Sequence, residues 1–248
     1  MSSFTLKIFA IIFMTIDHLF KLAPKFIASL PDFYIPLPGG SLSALGIISL
    51  LGRLAFPLFA FCVAEGASHT RNTEKYLKRL LVFAVFSEIP FDYMFFGKLN
   101  FDYQNVMWTF FFGVLAIYVY QKLKSTKIIA LFAVFSIYLG CCFCKTDYYS
   151  IGVILVFIMY VIKNKPLKLL AVISVICTYY LYKKGLLNAL EASNVSLMFN
   201  ISLSLFATLS STILIALYNG KKGVGMKWFF YAYYPAHLIL LGMVDKLC

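Results

Sequence analysis

Charge is scarce in this chain. Asp, Glu, Lys and Arg make up 13% of the 248 residues, and the acids number only 10. A soluble domain carries roughly 25% charged residues and about 45–50% apolar ones. With 62% of positions hydrophobic, the supply of charge cannot cover a water-facing surface, so a soluble globular protein is excluded. Also lacking are a low-complexity tract, a linker and any polar stretch long enough for a second domain. No internal repeat is visible, which speaks against an inverted-repeat transporter. The six cysteines (Cys62, Cys141, Cys142, Cys144, Cys177 and Cys248) fall mostly within apolar runs, where cysteine acts as a small hydrophobe. Cys141 and Cys144 form a C-x-x-C without a second pair or a nearby His, so neither a disulfide framework nor a metal site is expected.

What the chain has is apolar length and aromatic weight, with 26 Phe and 17 Tyr, residues suited to lipid-facing and interfacial positions. A bilayer core about 30 Å thick needs about 20 apolar residues per helical span. Nine candidate spans follow, near 4–22, 42–65, 77–96, 106–121, 128–144, 149–162, 167–182, 195–217 and 227–246. The fourth, sixth and seventh are short enough to be re-entrant, so the count lies between eight and ten. Lys7 precedes the first apolar run, but that run ends in Asp17-His18 with no small-residue cleavage site, so it is expected to be a retained span rather than a signal peptide.

Lys and Arg alternate between the connecting loops. Lys7, the loops at 71–79, 122–127 and 163–168, and Lys221, Lys222 and Lys227 place fourteen on one side. Lys21, Lys25, Lys98, Lys145, Lys183, Lys184 and Lys246 place seven on the other. The positive-inside rule then puts the N-terminus in the cytoplasm. The net charge of +12 is mostly this bias and gives no ground for nucleic-acid binding. Gly39-Gly40, after Pro36 and Pro38, marks an outer loop, and Pro57 and Pro235 fall inside spans, where proline frees a carbonyl.

Ionisable groups inside a span cost about 2.5–3.5 kcal/mol each and are functional candidates by default. They are Asp17, His18, Arg53, Glu65, Glu88, Asp92 and His237, with Asp147 opening the sixth span. In this orientation most of them fall in the outer half of the membrane. His18 is the sharpest, because histidine titrates near neutrality and can serve as a base. Asp17 is its neighbour in sequence, but residues i and i+1 do not face each other on a helix. Glu88, Asp92 or Asp147 are therefore the candidates to orient it. Arg53 is either a counter-ion to an acid or a contact to substrate. Glu65 and His69 form an i,i+4 pair at the cytoplasmic end, close in sequence to Arg71, Lys78 and Arg79. That basic loop is explained by orientation or by attraction to an anionic cytosolic ligand. Lys227, Tyr231, Tyr234 and His237 lie roughly along one side of the last span. Each of these has a bland counterpart: a helix-bridging His–Asp pair, a kink before Pro90, an aromatic packing stripe.

Eight blocks of residues resemble the TraX family, in the family's order and over nearly the whole chain: Ile16-Asp17-His18, the run 52–61 (GRLAFPLFAF), 65–70 (EGASHT), 75–80 (KYLKRL), 87–92 (SEIPFD), Asn105 to Thr109, Asp147 to Gly152 and Tyr233 to Leu238. The resemblance adds Asn105, Trp108 and Tyr149 as candidate binding residues. It implies a bacterial inner-membrane enzyme, since the family's founding member is implied to acetylate the N-terminus of conjugative pilin. More distantly it is similar to transmembrane acyltransferases, including acyltransferase-3 proteins, in which a basic residue often precedes a catalytic His by eleven positions in the first span. Lys7 and His18 have that spacing, about 16 Å along a helix.

The expectation is an all-α, polytopic helical bundle forming a single transmembrane acyltransferase-like domain over 1–248. It would move an acetyl group from acetyl-CoA to an amine or hydroxyl of a peptide or glycan, without a metal. His18 would act as base or acyl carrier, with Arg53, Asn105 or a tyrosine at the oxyanion. The rival classes are a proton-coupled transporter, in which the same charges form an ion path, and a non-catalytic membrane scaffold.

Overall fold

The computed structural model describes residues 1–37, 40–123 and 125–247, and within these it leaves out the side chains of Leu37, Gly40, Leu42, Lys127 and Lys227. Pro38, Gly39, Lys124 and Cys248, and the expectation placed on the side chain of Lys227, therefore lie outside the described residues.

The chain is helical almost throughout. In order come α1 (Ser3–Leu22), α2 (Pro24–Ser29), a hairpin of β1 (Tyr34–Leu37) and β2 (Gly40–Ser43), α3 (Ala44–Leu51), a 3₁₀ turn (Gly52–Leu54), α4 (Ala55–His69), α5 (Thr73–Phe96), α6 (Val106–Lys122), α7 (Lys127–Phe143), α8 (Tyr149–Val161), α9 (Lys165–Thr178), a π-helical turn (Tyr179–Lys183), α10 (Leu186–Glu191), α11 (Val195–Ala216) and α12 (Lys227–Leu247). The starts are written locally. Ser2 accepts from the Thr5 amide, Asn72 from Lys75, Asn105 from Met107 and Asn194 from Leu197, each satisfying an amide that the first turn leaves open. Gly97, at φ 70°, ends α5 in the left-handed conformation glycine adopts without penalty.

Among the described residues, four helical stretches are long and apolar enough to cross a membrane: Ser3–Leu22, Ala44–His69, Lys165–Lys183 and Val195–Ala216. Val106–Lys122, Ile128–Phe143 and Tyr149–Val161 are apolar but shorter. Large apolar side chains such as Phe86, Ile128, Phe132 and Phe206 stand exposed along the helices, as lipid-facing residues do. The protein is thus a helical membrane protein. Within the stretch expected as a span at 42–65, a 3₁₀ turn at Gly52–Leu54 joins α3 to α4, and Pro57 sits in the first turn of α4, where its missing N–H is not needed.

The residues form two compact units, each drawn from separated parts of the chain. The first comprises Met1–Phe59, Leu169–Met226 and Ile239–Cys248; the second comprises Ala60–Lys168 and Lys227–Leu238. In the first unit α1 packs on α3 and on the 3₁₀ turn, and α11 packs on that turn, on α3 and on α10. The buried face of α1 runs through Leu6, Ala10, Ile11, Met14, His18 and Leu22, the spacing of one helical stripe. In the second unit α6 is central, packed by α5, α7 and α8. Gly113 permits the closest approach: a Cβ there would meet Val156 of α8 at 2.9 Å.

Within each unit, connections expected on one side of the membrane touch one another. In the first, Ser3 and Phe4 donate backbone hydrogen bonds to Lys221 and Lys222, while at the other end the Lys25 amide donates to Asp245. In the second, Thr73 donates to Gln121, Gln121 to Tyr160 and Lys163 to Ser68, whereas at the opposite end Gln104 and Thr146 form a bridge.

Candidate functional site

His18 sits in the first unit, 8% exposed, on the buried stripe of α1. Since α1 is unbroken from Ser3 to Leu22, Lys7 and His18 share one rigid helix and nearly one face. Asp17 does not serve as the partner of His18 along the helix; its carboxylate is taken by Lys21 one turn on, at 2.5 Å. The turn carrying Asp17 lies against Gly52, where a Cβ would come within 2.5 Å of the Asp17 Cβ. Gly52 thus brings the 3₁₀ turn, and with it Arg53, to the level of Asp17 and His18. Arg53 forms no ion pair with an acid among the described residues, and its Nε is buried without a hydrogen-bond partner. The counter-ion role considered for Arg53 is therefore not what the geometry provides.

The second unit gathers the acids of α5. Glu88 accepts three hydrogen bonds, from the Asn105 amide at 3.2 Å, Asn105 Nδ2 at 2.7 Å and Trp108 Nε1 at 2.6 Å. Asn105 is fully buried, and its side chain is also fully used: Nδ2 donates to the Ala84 carbonyl as well, and Oδ1 accepts from Met107. A carboxamide has two donor hydrogens, so none is left for an oxyanion. Asn105 is a helix cap that clamps Glu88. Asp92, 1% exposed, accepts from the Asn100 amide through Oδ2 at 2.9 Å while Oδ1 is buried without a partner, as is the Ser87 hydroxyl.

Asp147 belongs to a strained turn. Lys145, Tyr148 and Tyr149 have φ of 47°, 62° and 44°, a region non-glycine residues occupy only when their surroundings impose it. Here the Asp147 amide donates to Gln104, the Asp147 carboxylate accepts from Tyr103 at 2.8 Å and from the Tyr148 amide at 3.0 Å, and its carbonyl accepts from Thr109. Tyr149 packs edge-on against Tyr103. Tyr234, on α12, is 4% exposed and packs against the His237 ring. His237 is buried at 3%, hydrogen-bonds through Nδ1 to the Tyr233 carbonyl and lies flat on the Tyr233 ring.

At the opposite end of this unit, Glu65 meets His69 at 3.5 Å and Lys168 at 3.8 Å. The Lys168 ammonium also lies over the Phe61 ring, and Lys163 sits 4.3 Å from the centre of the Tyr160 ring. Arg71, Lys78 and Arg79 do not act as one patch. Arg71 is exposed. Lys78 is paired with Glu74 at 2.8 Å, holding that carboxyl below the usual carboxylate range by hydrogen bond and charge. Arg79 is half-buried with its guanidinium over the Tyr76 ring, and Tyr231 stacks on Phe83, one turn further along α5. Tyr231 and Arg79 were expected in separate groups, and Tyr231 packs on the helix that carries Arg79. Lys163 and Lys168 were counted only as loop charges, and nothing in the sequence sets them beside Ser68 and Glu65. Among the described residues no group of three or more His, Cys, Asp or Glu could hold a metal ion.

Comparison with known proteins agrees with this layout in extent. The family described as "TraX protein" matches residues 2–245. A protein of Dichelobacter nodosus named "Probable fimbrial assembly protein FimC, serogroup H1" is 29% identical over 252 aligned positions, covering 97% of this chain and 94% of that one. No solved structure matches significantly.

Proposed function

The chain belongs to the TraX family, and from that membership we propose that it is an integral-membrane acetyltransferase of the bacterial cytoplasmic membrane, acting on a pilin-like or other secreted peptide. The family's link to pilin acetylation supports the reaction, and the fimbrial assembly name of the relative supports the kind of acceptor. The observation that carries the site is a buried histidine on an unbroken first helix, at the level where Gly52 brings the turn of Arg53, which pairs with no acid among the described residues, against that helix.

The nine-span order with a cytoplasmic N-terminus fits the pairing of connections within each unit, and it puts Lys7 at the cytosolic end of α1 and His18 in the outer half. Acetyl-CoA is then the cytosolic donor, its phosphates near Arg71 and the Glu65–His69–Lys168 cluster. His18 takes the proton from the acceptor nitrogen as that nitrogen bonds to the thioester carbon; the C–S bond breaks, and the imidazolium returns the proton to the departing sulfur. Arg53 faces the negative charge that builds on the carbonyl oxygen.

The test is CoA release from acetyl-CoA by the full chain in proteoliposomes, with a synthetic peptide bearing a free N-terminus as acceptor. His18→Ala should lower the rate by about a hundredfold or more while the chain stays inserted and its melting temperature is retained. Undiminished turnover in that variant would refute the role of His18, and no release by the wild-type chain would refute the activity.

A further inference from the structure

At the end of the second unit away from the Gln104–Thr146 bridge, the hydrogen bonds run in one direction. Thr73 Oγ1 donates to Gln121 Oε1 at 3.0 Å, and Gln121 Nε2 donates to the Tyr160 oxygen at 2.8 Å. Tyr160 is therefore the acceptor at the end of this chain, and its own hydroxyl hydrogen is committed to no other group among the described residues. The Lys163 ammonium, in the connection from α8 to α9, lies 4.3 Å from the centre of the Tyr160 ring and donates to Ser68 Oγ of α4 at 3.4 Å. An ammonium has hydrogens and no acceptor, so Ser68 keeps its hydroxyl hydrogen as well. Two hydroxyls, each with its oxygen engaged and its hydrogen left over, thus flank one cation.

That cation has no counter-ion. Glu65, one turn before Ser68 on α4, is taken by Lys168 at 3.8 Å and lies 3.5 Å from His69. Lys163 forms no ion pair among the described residues, and it stands exposed, as does Ser68. The group therefore offers a surplus of positive charge and of hydroxyl hydrogens. A planar carboxylate is matched best by the fork of an arginine, which this group lacks. A lysine acts as a point charge, and with hydroxyls from two other elements it suits a tetrahedral group with several acceptor oxygens. We infer that Lys163, the Tyr160 hydroxyl and the Ser68 hydroxyl form a binding site for a phosphate group, with Lys168 beside it neutralising Glu65. Coenzyme A and an anionic lipid headgroup both carry such a group. Coenzyme A as its source rests on the acetyl-transfer proposal; the anion site does not.

The experiment titrates the full chain, in nanodiscs of phosphatidylcholine, with CoA and with inorganic pyrophosphate, and a second arm adds phosphatidic acid to the nanodiscs as a competitor. Lys163→Gln should weaken CoA binding by about tenfold. Tyr160→Phe, which keeps the ring beneath the ammonium and removes only the donor, should weaken it severalfold, and Ser68→Ala by less. Lys75→Gln, at an exposed lysine in the first turn of α5, should stay within about twofold of wild type. Thermal melts show that each variant is folded at the temperature of the titration. Wild-type affinity for both probes in Lys163→Gln or in Tyr160→Phe overturns the site, as does an equal loss in Lys75→Gln or the failure of either probe to bind the wild-type chain at all. Pyrophosphate binding that the same variants weaken, without any binding of CoA, leaves the anion site standing and sinks the acetyl-CoA reading; displacement of pyrophosphate by phosphatidic acid then identifies a lipid headgroup as the occupant, and no displacement identifies free phosphate.

Discussion

Gly52 and Asp17 are in contact to the limit that backbones allow: the Cβ that Gly52 lacks would lie 2.5 Å from the Asp17 Cβ and 2.9 Å from its Cα. Neither atom is the end of a flexible side chain, so neither can turn aside. Gly52→Ala should push α1 off the 3₁₀ turn. Overpacking of this kind costs about 1–3 kcal/mol. The expected result is a lowered melting temperature in detergent and a loss of turnover larger than the loss of folded protein. A variant that melts and turns over like wild type would show that α1 relaxes freely.

Asn105→Ala removes a helix cap and one of the three donors to Glu88 together. Its backbone amide remains, so one of the three Glu88 contacts survives along with that of Trp108. A lost cap costs about 1 kcal/mol, and a buried acceptor left short of donors about 1–3 kcal/mol more. Stability should fall by that order in a chemical or thermal melt, with kcat per folded molecule little changed. A kcat that collapses at unchanged stability would restore Asn105 to the chemistry.

Lys78 and Arg71 should part company. Lys78 is held by Glu74, whose carboxyl it keeps below the usual range, so the pair persists at neutral pH and loosens only as pH falls through that lowered value. Lys78→Ala should leave the KM for acetyl-CoA within about twofold, since an exposed pair is worth little. Arg71→Ala and Lys168→Ala should raise it severalfold. Equal effects from all three would mean a diffuse field rather than a site.

The pairing of connections within the second unit predicts which residues share a side. Single cysteines at Lys75 and Lys163, introduced into a chain whose native cysteines are replaced, should react with an impermeant maleimide from the cytosolic face. Cysteines at Asn100 and Lys145 should react from the other. Labelling of Lys75 and Lys145 from one side would break the nine-span order.

The helical stretches were legible because each is an apolar run bounded by basic loops, and the helix ends lie near the expected boundaries from Ser3–Leu22 through Lys227–Leu247. The Glu65–His69 pair was legible for the same reason that i,i+4 neighbours always meet. The interruptions were not. Nothing in the apolar run around Gly52 distinguishes a 3₁₀ turn from continuous helix until Asp17 is known to lie against it. The hairpin at 34–43 was read as loop because Pro36 and Gly40 mask two four-residue strands. The bond between Tyr180 and Thr208 escaped because a search for buried charge passes over neutral hydroxyls.

The two units are interlaced along the chain, and this orders their manufacture. The second has its long middle segment, Ala60–Lys168, before any of Leu169–Met226 has left the ribosome, and those are the residues that give the first unit α10 and α11. The helix bearing His18 precedes that segment, yet α10 and α11, which lie in the same unit, emerge only after more than half of these residues are translated. Domains fold as units during synthesis, so α1 must wait in the bilayer with a polar residue on its buried stripe.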